Sequence, residues 1–235
     1  MAVALEGGCR VSTMREGTPQ VDGSLKIWNH IDPQTGAKAI SLRILEFGPG
    51  PSPDLRNKDV DEVLFALDQC RVLIDDVTHE VEPQSGVFIR ARQTFRVENR
   101  STKSLFVVSS QTPSKGGEIP KPIVKLADQR AMPTGDRWYR VLIDSEVTQF
   151  VGSIPPGRAP DHFHEYEEVL FILRGEGRMW TEAKSTQISY GSCVYLPRRQ
   201  VHCVENTGTG ELRLLGVFYP AGSPAVRYES PTQNP

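Results

Sequence analysis

Long apolar runs are missing from this sequence: the longest, such as Val169 to Leu173, have the length of a strand, far short of the roughly 20 residues a membrane helix needs. No membrane partner is expected. Cysteine is scarce as well. Cys9, Cys70, Cys193 and Cys203 are scattered and form no C-x-x-C pair, and the opening MAVALEGGCRVSTMREG lacks the basic and apolar segments of a secretory signal. Free thiols and a cytoplasmic location are the expectation. An excess of charge of either sign is also absent, since 27 Lys and Arg against 29 Asp and Glu leave a net charge of −2. That excludes the electrostatic footprint of a nucleic-acid binder. No Ser-His-Asp grouping, Gly-rich phosphate loop, dinucleotide fingerprint or helix-turn-helix segment is present. A small-molecule partner is what remains.

Present instead are short segments rich in β-branched and aromatic residues, among them ISLRILEF, EVLFAL, CRVLIDDV, GVFIRA, SLFVVSS, EVLFILR and GSCVYLP. Gly, Pro, Asn or Asp bounds each, a rhythm of strands every 8 to 12 residues or so. An all-β sandwich or barrel is predicted, with at most a helical turn near 126–132. The length, 235 residues, suffices for one large domain or two of about 100 to 120 residues.

An internal repeat decides for two. Glu62-Val63-Leu64-Phe65 recurs as Glu168-Val169-Leu170-Phe171, and Val97-Glu98-Asn99 as Val204-Glu205-Asn206, at offsets of 106 and 107. Two matches in one order point to a tandem duplication of a β-domain. The composition shifts to Pro, Gly and Lys across 112–135, so the domains are placed at 1–118 and 119–235. Ile123 to Leu126 is a candidate for pairing at a sheet edge, and 220–235 reads as an extended tail.

The second copy contains Gly157-RAPD-His162-Phe-His164-EYE-Glu168-VLFILR-Gly175, followed after fifteen residues by Gly191-SCVYL-Pro197-RRQV-His202-CVE-Asn206. On an extended chain His162 and His164 share a face while Phe163 turns away. Glu168 opens the next apolar strand, and His202 arrives from a distant one. Neutral imidazoles with a carboxylate form a mixed N/O set suited to Fe, Mn, Ni, Co or Zn as a divalent ion, with positions left for water and substrate.

These two segments resemble the two motifs of the cupin superfamily, G-x5-H-x-H-x3,4-E-x6-G and G-x5-P-x-G-x2-H-x3-N, and the chain as a whole resembles a bicupin. Two departures stand out: the leading spacer has four residues, and Arg199 occupies the place of a turn glycine. The second suggests a different turn geometry. The resemblance implies a double-stranded β-helix (jelly-roll) barrel in each half. It also implies that His162, His164, Glu168 and His202 are ligands of one metal in the C-terminal barrel.

Carried back by the repeat, those ligand positions fall on Arg56, Lys58, Glu62 and Phe95. Cations and a phenyl ring offer no lone pair, so the N-terminal barrel should be metal-free, with Arg56, Lys58 and Glu62 forming an internal ion pair or, as the alternative, holding an anionic ligand. Arg158, Arg199 and Tyr195 are candidate substrate-binding residues, the arginines as carboxylate clamps. Cys203 should face away from His202. His30 and His79 are isolated and expected at the surface.

The resemblance allows dioxygenase, decarboxylase, lyase, isomerase or hydrolase chemistry on a small chelating molecule. Glu168 is the candidate acid–base group if its bond to the metal is weak. A ureidoglycine aminohydrolase is a similar bicupin with a less complete histidine set. The alternative is a non-catalytic bicupin that binds a sugar or organic acid. A homodimer formed by covering a sheet edge is expected.

Overall fold

A computed structural model describes residues 1–117 and 121–225. The expected domain boundary at 118/119 and the last part of the expected tail, 226–235, lie outside the described residues. The regular structure of the described chain is strand, apart from single 3-10 turns at Glu6–Gly8, Pro33–Thr35 and Leu126–Asp128, with turns and loops between the strands. Among the described residues no helix is long and apolar enough to cross a membrane.

Each half folds as a large and a small antiparallel sheet closed face to face. The C-terminal barrel joins an eight-stranded sheet, centred on Glu167–Arg174 and Leu212–Tyr219, to a four-stranded one containing Glu176–Thr181 and Cys203–Asn206. The N-terminal barrel joins a seven-stranded sheet around Val60–Ala66 and Leu105–Pro113 to a five-stranded one containing Cys70–Ile74 and Thr94–Asn99. Alternation along the strands sorts side chains into three cores. Leu170, Ile172, Val194, Leu196 and Phe218 fill the C-terminal barrel. Leu45, Leu64, Ile89, Phe95 and Val107 fill the N-terminal one. Between the two large sheets lies a shared layer with Val63, Phe65 and Phe88 from one half and Val169, Phe171, Tyr195 and Val217 from the other. Strands also cross between the halves. Arg10–Thr13 pairs with Ser192–Leu196 in the C-terminal sheet, and Ile123–Lys125 adds to Ser85–Ile89 in the N-terminal one.

The duplication is visible bond by bond. Asn99 donates to the carbonyls of Phe47 and Lys103 at 2.9 and 2.7 Å, and Asn206 donates to those of Ile154 and Gly210 at 2.8 and 2.7 Å. Every one of these partners is displaced by 107 in the sequence. Glu62 pairs with Ile89 and Gln111, and Glu168 with Leu196 and Phe218.

His30 corrects the expectation of a surface position. It is buried: its Nε2 donates to the Met14 carbonyl at 3.2 Å, and its Nδ1 accepts from the Ser12 hydroxyl at 3.0 Å. It thus ties the crossing N-terminal strand to Leu25–Ile31. Burial holds its pKa below the ordinary 6.5, outweighing the Met14 carbonyl that raises it. The unfolded chain therefore takes up this proton first, and stability is expected to fall as the pH drops through 6.5. Urea midpoints at pH 7.5 and 5.5 should show a fall in the wild type that His30→Gln reduces; equal slopes for the two proteins would refute it.

Candidate metal centre

His162 and His202 meet in an isolated antiparallel bridge, each backbone N–H donating to the other's carbonyl at 3.0 and 2.9 Å. This joins the two motifs at the rim of the C-terminal barrel. The ring orientations are set by backbone acceptors: Nδ1 of His162 donates to the Pro160 carbonyl at 3.0 Å, and Nδ1 of His202 to that of Gln200 at 2.8 Å. In those tautomers Nε2 carries the lone pair, the arrangement that suits a metal ligand. His164 stacks on Tyr166 at 4.9 Å, and Tyr166 is pinned in turn by its hydroxyl donating to the Ser223 carbonyl. One ring nitrogen from each of the three histidines lies within 4.8 Å of the others. Glu168 Oε2 is 3.6 Å from Nε2 of His164 and 3.9 Å from Nε2 of His202.

Glu168 is the informative group. It is buried, its Oε2 has no hydrogen-bond partner among the described residues, and burial pushes its pKa up to about 8. A carboxylate in that position lacks its counter-charge. Three clustered imidazoles with a buried carboxylate beside two of them fit a divalent cation, the species that would supply the missing charge.

The N-terminal copy shows the same carboxylate solved differently. Burial would raise the pKa of Glu62, but Arg43 at 2.5 Å and hydrogen bonds from Ser109, Asn57 and Gln111 outweigh it and hold it low. Arg43, Ser109 and Gln111 correspond at offset 107 to Phe150, Gly216 and Phe218. Their strand partners agree, since Ser109 faces Arg43 where Gly216 faces Phe150. A side chain at Gly216 would meet the Phe150 ring at 2.3 Å. The polar trio around Glu62 is therefore an apolar trio around Glu168. The expected ion pair exists, but with another partner: Arg56 and Lys58 are exposed and Arg43 takes the role.

The histidines and Glu168 open into a cavity of about 90 Å³ walled by Phe150, Ile154, Leu170, Val204, Leu214 and Phe218, with Arg137, Tyr139 and Thr134 also on its lining. None of the three candidate substrate residues lies there. Tyr195 pairs with Val169, one residue out of phase with Glu168, so it faces the layer between the barrels, where its hydroxyl donates to Glu167. Arg158 shares the outer side of the small sheet with Cys203, donating to its Sγ at 3.2 Å, pairing with Asp161 and lying 4.3 Å over Trp180. Arg199 is exposed and bridged to Glu165 at 3.0 Å. Its φ of 61° lies in the left-handed region that favours glycine. The turn therefore keeps a glycine-like conformation despite the arginine, contrary to the altered geometry expected. Cys203 faces away from the histidines as alternation predicts, and burial pushes its thiol up to about 11.

The cavity wall and Arg137 escaped sequence reasoning. Phe150 and Phe218 were within reach, because the repeat aligns them with Arg43 and Gln111. Arg137 belongs to neither motif.

Residues 150–218 match the family model of the cupin domain. Of curated proteins, quercetin 2,3-dioxygenase of Bacillus subtilis is 31% identical over 94 residues, which cover 37% of this chain and 28% of the dioxygenase. An oxalate-binding protein of Thermotoga maritima is 36% identical over 67 residues, covering 28% of this chain and 55% of that protein. Both matches are partial in the relative as well as here. Over nearly the whole chain the fold is that of a putative glyoxylate-induced protein of Pseudomonas aeruginosa, with TM-score 0.79, 17% identity and coverage of 95% and 93% of the two chains. Residues 150–218 form a cupin domain, and the chain as a whole folds as two tandem β-barrels, as a bicupin does.

Proposed function

We propose that the C-terminal barrel is the active site of a metal-dependent enzyme: His162, His164, Glu168 and His202 hold one divalent transition metal, and the substrate is a small molecule that reaches the ion through its own oxygens. The observation that carries this is the buried Glu168 carboxylate, with no Lys or Arg paired to it among the described residues, set within 4 Å of His164 and His202 in a cluster of three imidazoles. When bound, such an ion supplies a Lewis acid or, as Fe(II), a place for dioxygen.

The chain's own contribution is order and exclusion. Backbone carbonyls fix two of the rings, and His164, Glu168 and His202 are buried behind the apolar wall. Glu168 is the only carboxylate on the wall among the described residues, so it is both ligand and candidate proton acceptor. With no second carboxylate to serve as a base, dioxygenase-like chemistry is favoured over hydrolysis. A cavity of about 90 Å³ is also well below the roughly 300 Å³ at which drug-sized ligands are enclosed, which favours a small acid over a flavonol.

Metal analysis of the purified protein, followed by an oxygen-electrode screen of keto-acids, 1,3-diketones and catechols, tests the reading. Bound metal and substrate-dependent oxygen uptake, both lost in His162→Ala, are expected. Metal-free protein whose ligand binding His162→Ala leaves unchanged overturns the proposal. Bound metal with ligand affinity but no turnover of any ligand transfers it to the binding-protein alternative, which the similarity to an oxalate-binding protein supports.

A further inference from the structure

The unexplained group in the cavity is Arg137. It begins the strand Arg137–Asp144 directly after a hairpin turn in which Gly135 has φ 65° and Thr134 pairs with Arg137. Alternation puts Arg137 on the face of Tyr139 and Val141, which pack on the barrel interior. Trp138 and Arg140 take the other face, where Arg213 and Arg140 lie 5.4 and 5.3 Å from the Trp138 ring. The Arg137 side chain is 11% exposed, and its Nε is buried without a hydrogen-bond partner among the described residues. The nearest carboxylate is Asp136 Oδ1 at 3.6 Å, on a side chain 70% exposed. That is too long for a hydrogen bond, and an ion pair with so exposed a partner is weak.

A guanidinium lining a largely apolar cavity with its buried Nε unused carries a cost that an anion would relieve. Its planar fork matches a carboxylate, which accepts two parallel N–H bonds. We infer that Arg137 binds the carboxylate of a small organic acid whose remaining oxygens face His162, His164, Glu168 and His202. This assignment of substrate class rests on the metal reading above. Size limits the acid further. An apolar cavity of about 150 Å³ holds benzene, so the roughly 90 Å³ here takes a ligand of few heavy atoms. Branched or flat hydrocarbon between the two ends is what Phe150, Leu170, Leu214 and Phe218 would contact.

The test is calorimetry on Mn(II)-loaded protein with propionate, pyruvate, lactate and malonate, against propionamide and lactamide as neutral counterparts and inorganic phosphate as a second anion. At least one acid should bind ten times more tightly than the amides. Arg137→Gln should remove that preference, leave amide affinity within twofold and Mn(II) stoichiometry unchanged, and Arg137→Lys should recover part of it. The unchanged metal stoichiometry reports that the variant is folded. Wild-type protein that holds Mn(II) but binds acids no better than amides overturns the inference alone. So does Arg137→Gln with acid affinity within twofold of wild type, or phosphate as the preferred anion. Wild-type protein that takes up no Mn(II) overturns the metal reading and this inference with it.

Discussion

Alanine at His162, His164 or His202 is expected to weaken divalent-metal binding by at least about 100-fold, because even removal of groups that merely support a ligand costs about 10- to 100-fold. The metal-free stability of these variants should change little by comparison. Glu168→Gln separates function from fold more sharply, since the two effects have opposite signs. The amide keeps the volume but removes a buried carboxyl that must take up a proton to fold without metal and whose Oε2 has no partner among the described residues. Metal affinity should fall by about 10- to 100-fold, while the metal-free protein gains roughly 1–3 kcal/mol. For a chain of this size that raises the Tm by a few degrees, at about 2–4 °C per kcal/mol. Metal titration and differential scanning calorimetry with and without chelator read both quantities. If Glu168→Gln destabilises the metal-free protein, the carboxylate has a structural task and the proposed donor set loses its most telling member.

The fold and the convergence of the three histidines were readable in the sequence for a simple reason: both follow from period and spacing. Alternation in the second copy places His162 and His164 together, and a repeat that preserves Asn99 and Asn206 preserves the bonds that close the same turn in each half. The cavity wall is legible only through pairing across strands. Arg43 reaches Glu62 from a strand 19 residues earlier, a relation that no contiguous motif records. Tyr195 failed as a candidate for the same reason in reverse, because one step of register decides which face a strand residue takes. His30 looked superficial because nothing local shows that the N-terminal strand crosses to the other barrel and passes over it.

Arg43→Ala is expected to be among the most destabilising single changes in the N-terminal barrel, and it tests whether the two glutamates are alternative solutions to one problem. Glu62 is 1% exposed and its partner Arg43 18%. Removing one member of a buried pair strands the other, at a cost of about 3–5 kcal/mol, or a Tm drop of roughly 6–20 °C. The remaining hydrogen bonds from Ser109, Asn57 and Gln111 place the outcome towards the lower end. The pH dependence has a definite sign. Because the folded pKa of Glu62 is depressed, its stabilisation is fully present above the ordinary value of 4.5 and is lost as the pH falls through the lower folded value. In Arg43→Ala burial prevails, the carboxyl takes up its proton at higher pH, and the deficit relative to wild type should shrink on acidification from pH 7 towards 4. Adding Glu62→Gln should recover part of the loss at pH 7, since the stranded charge is then gone. Urea denaturation of the single and double variants at both pH values decides the matter, and a deficit below about 1 kcal/mol, or one independent of pH, contradicts it. Metal uptake in the C-terminal barrel should be untouched in every variant. The N-terminal barrel neutralises its glutamate with a cation of the chain, whereas Phe150 in the place of Arg43 leaves Glu168 without one, and the proposed metal is what would fill that role.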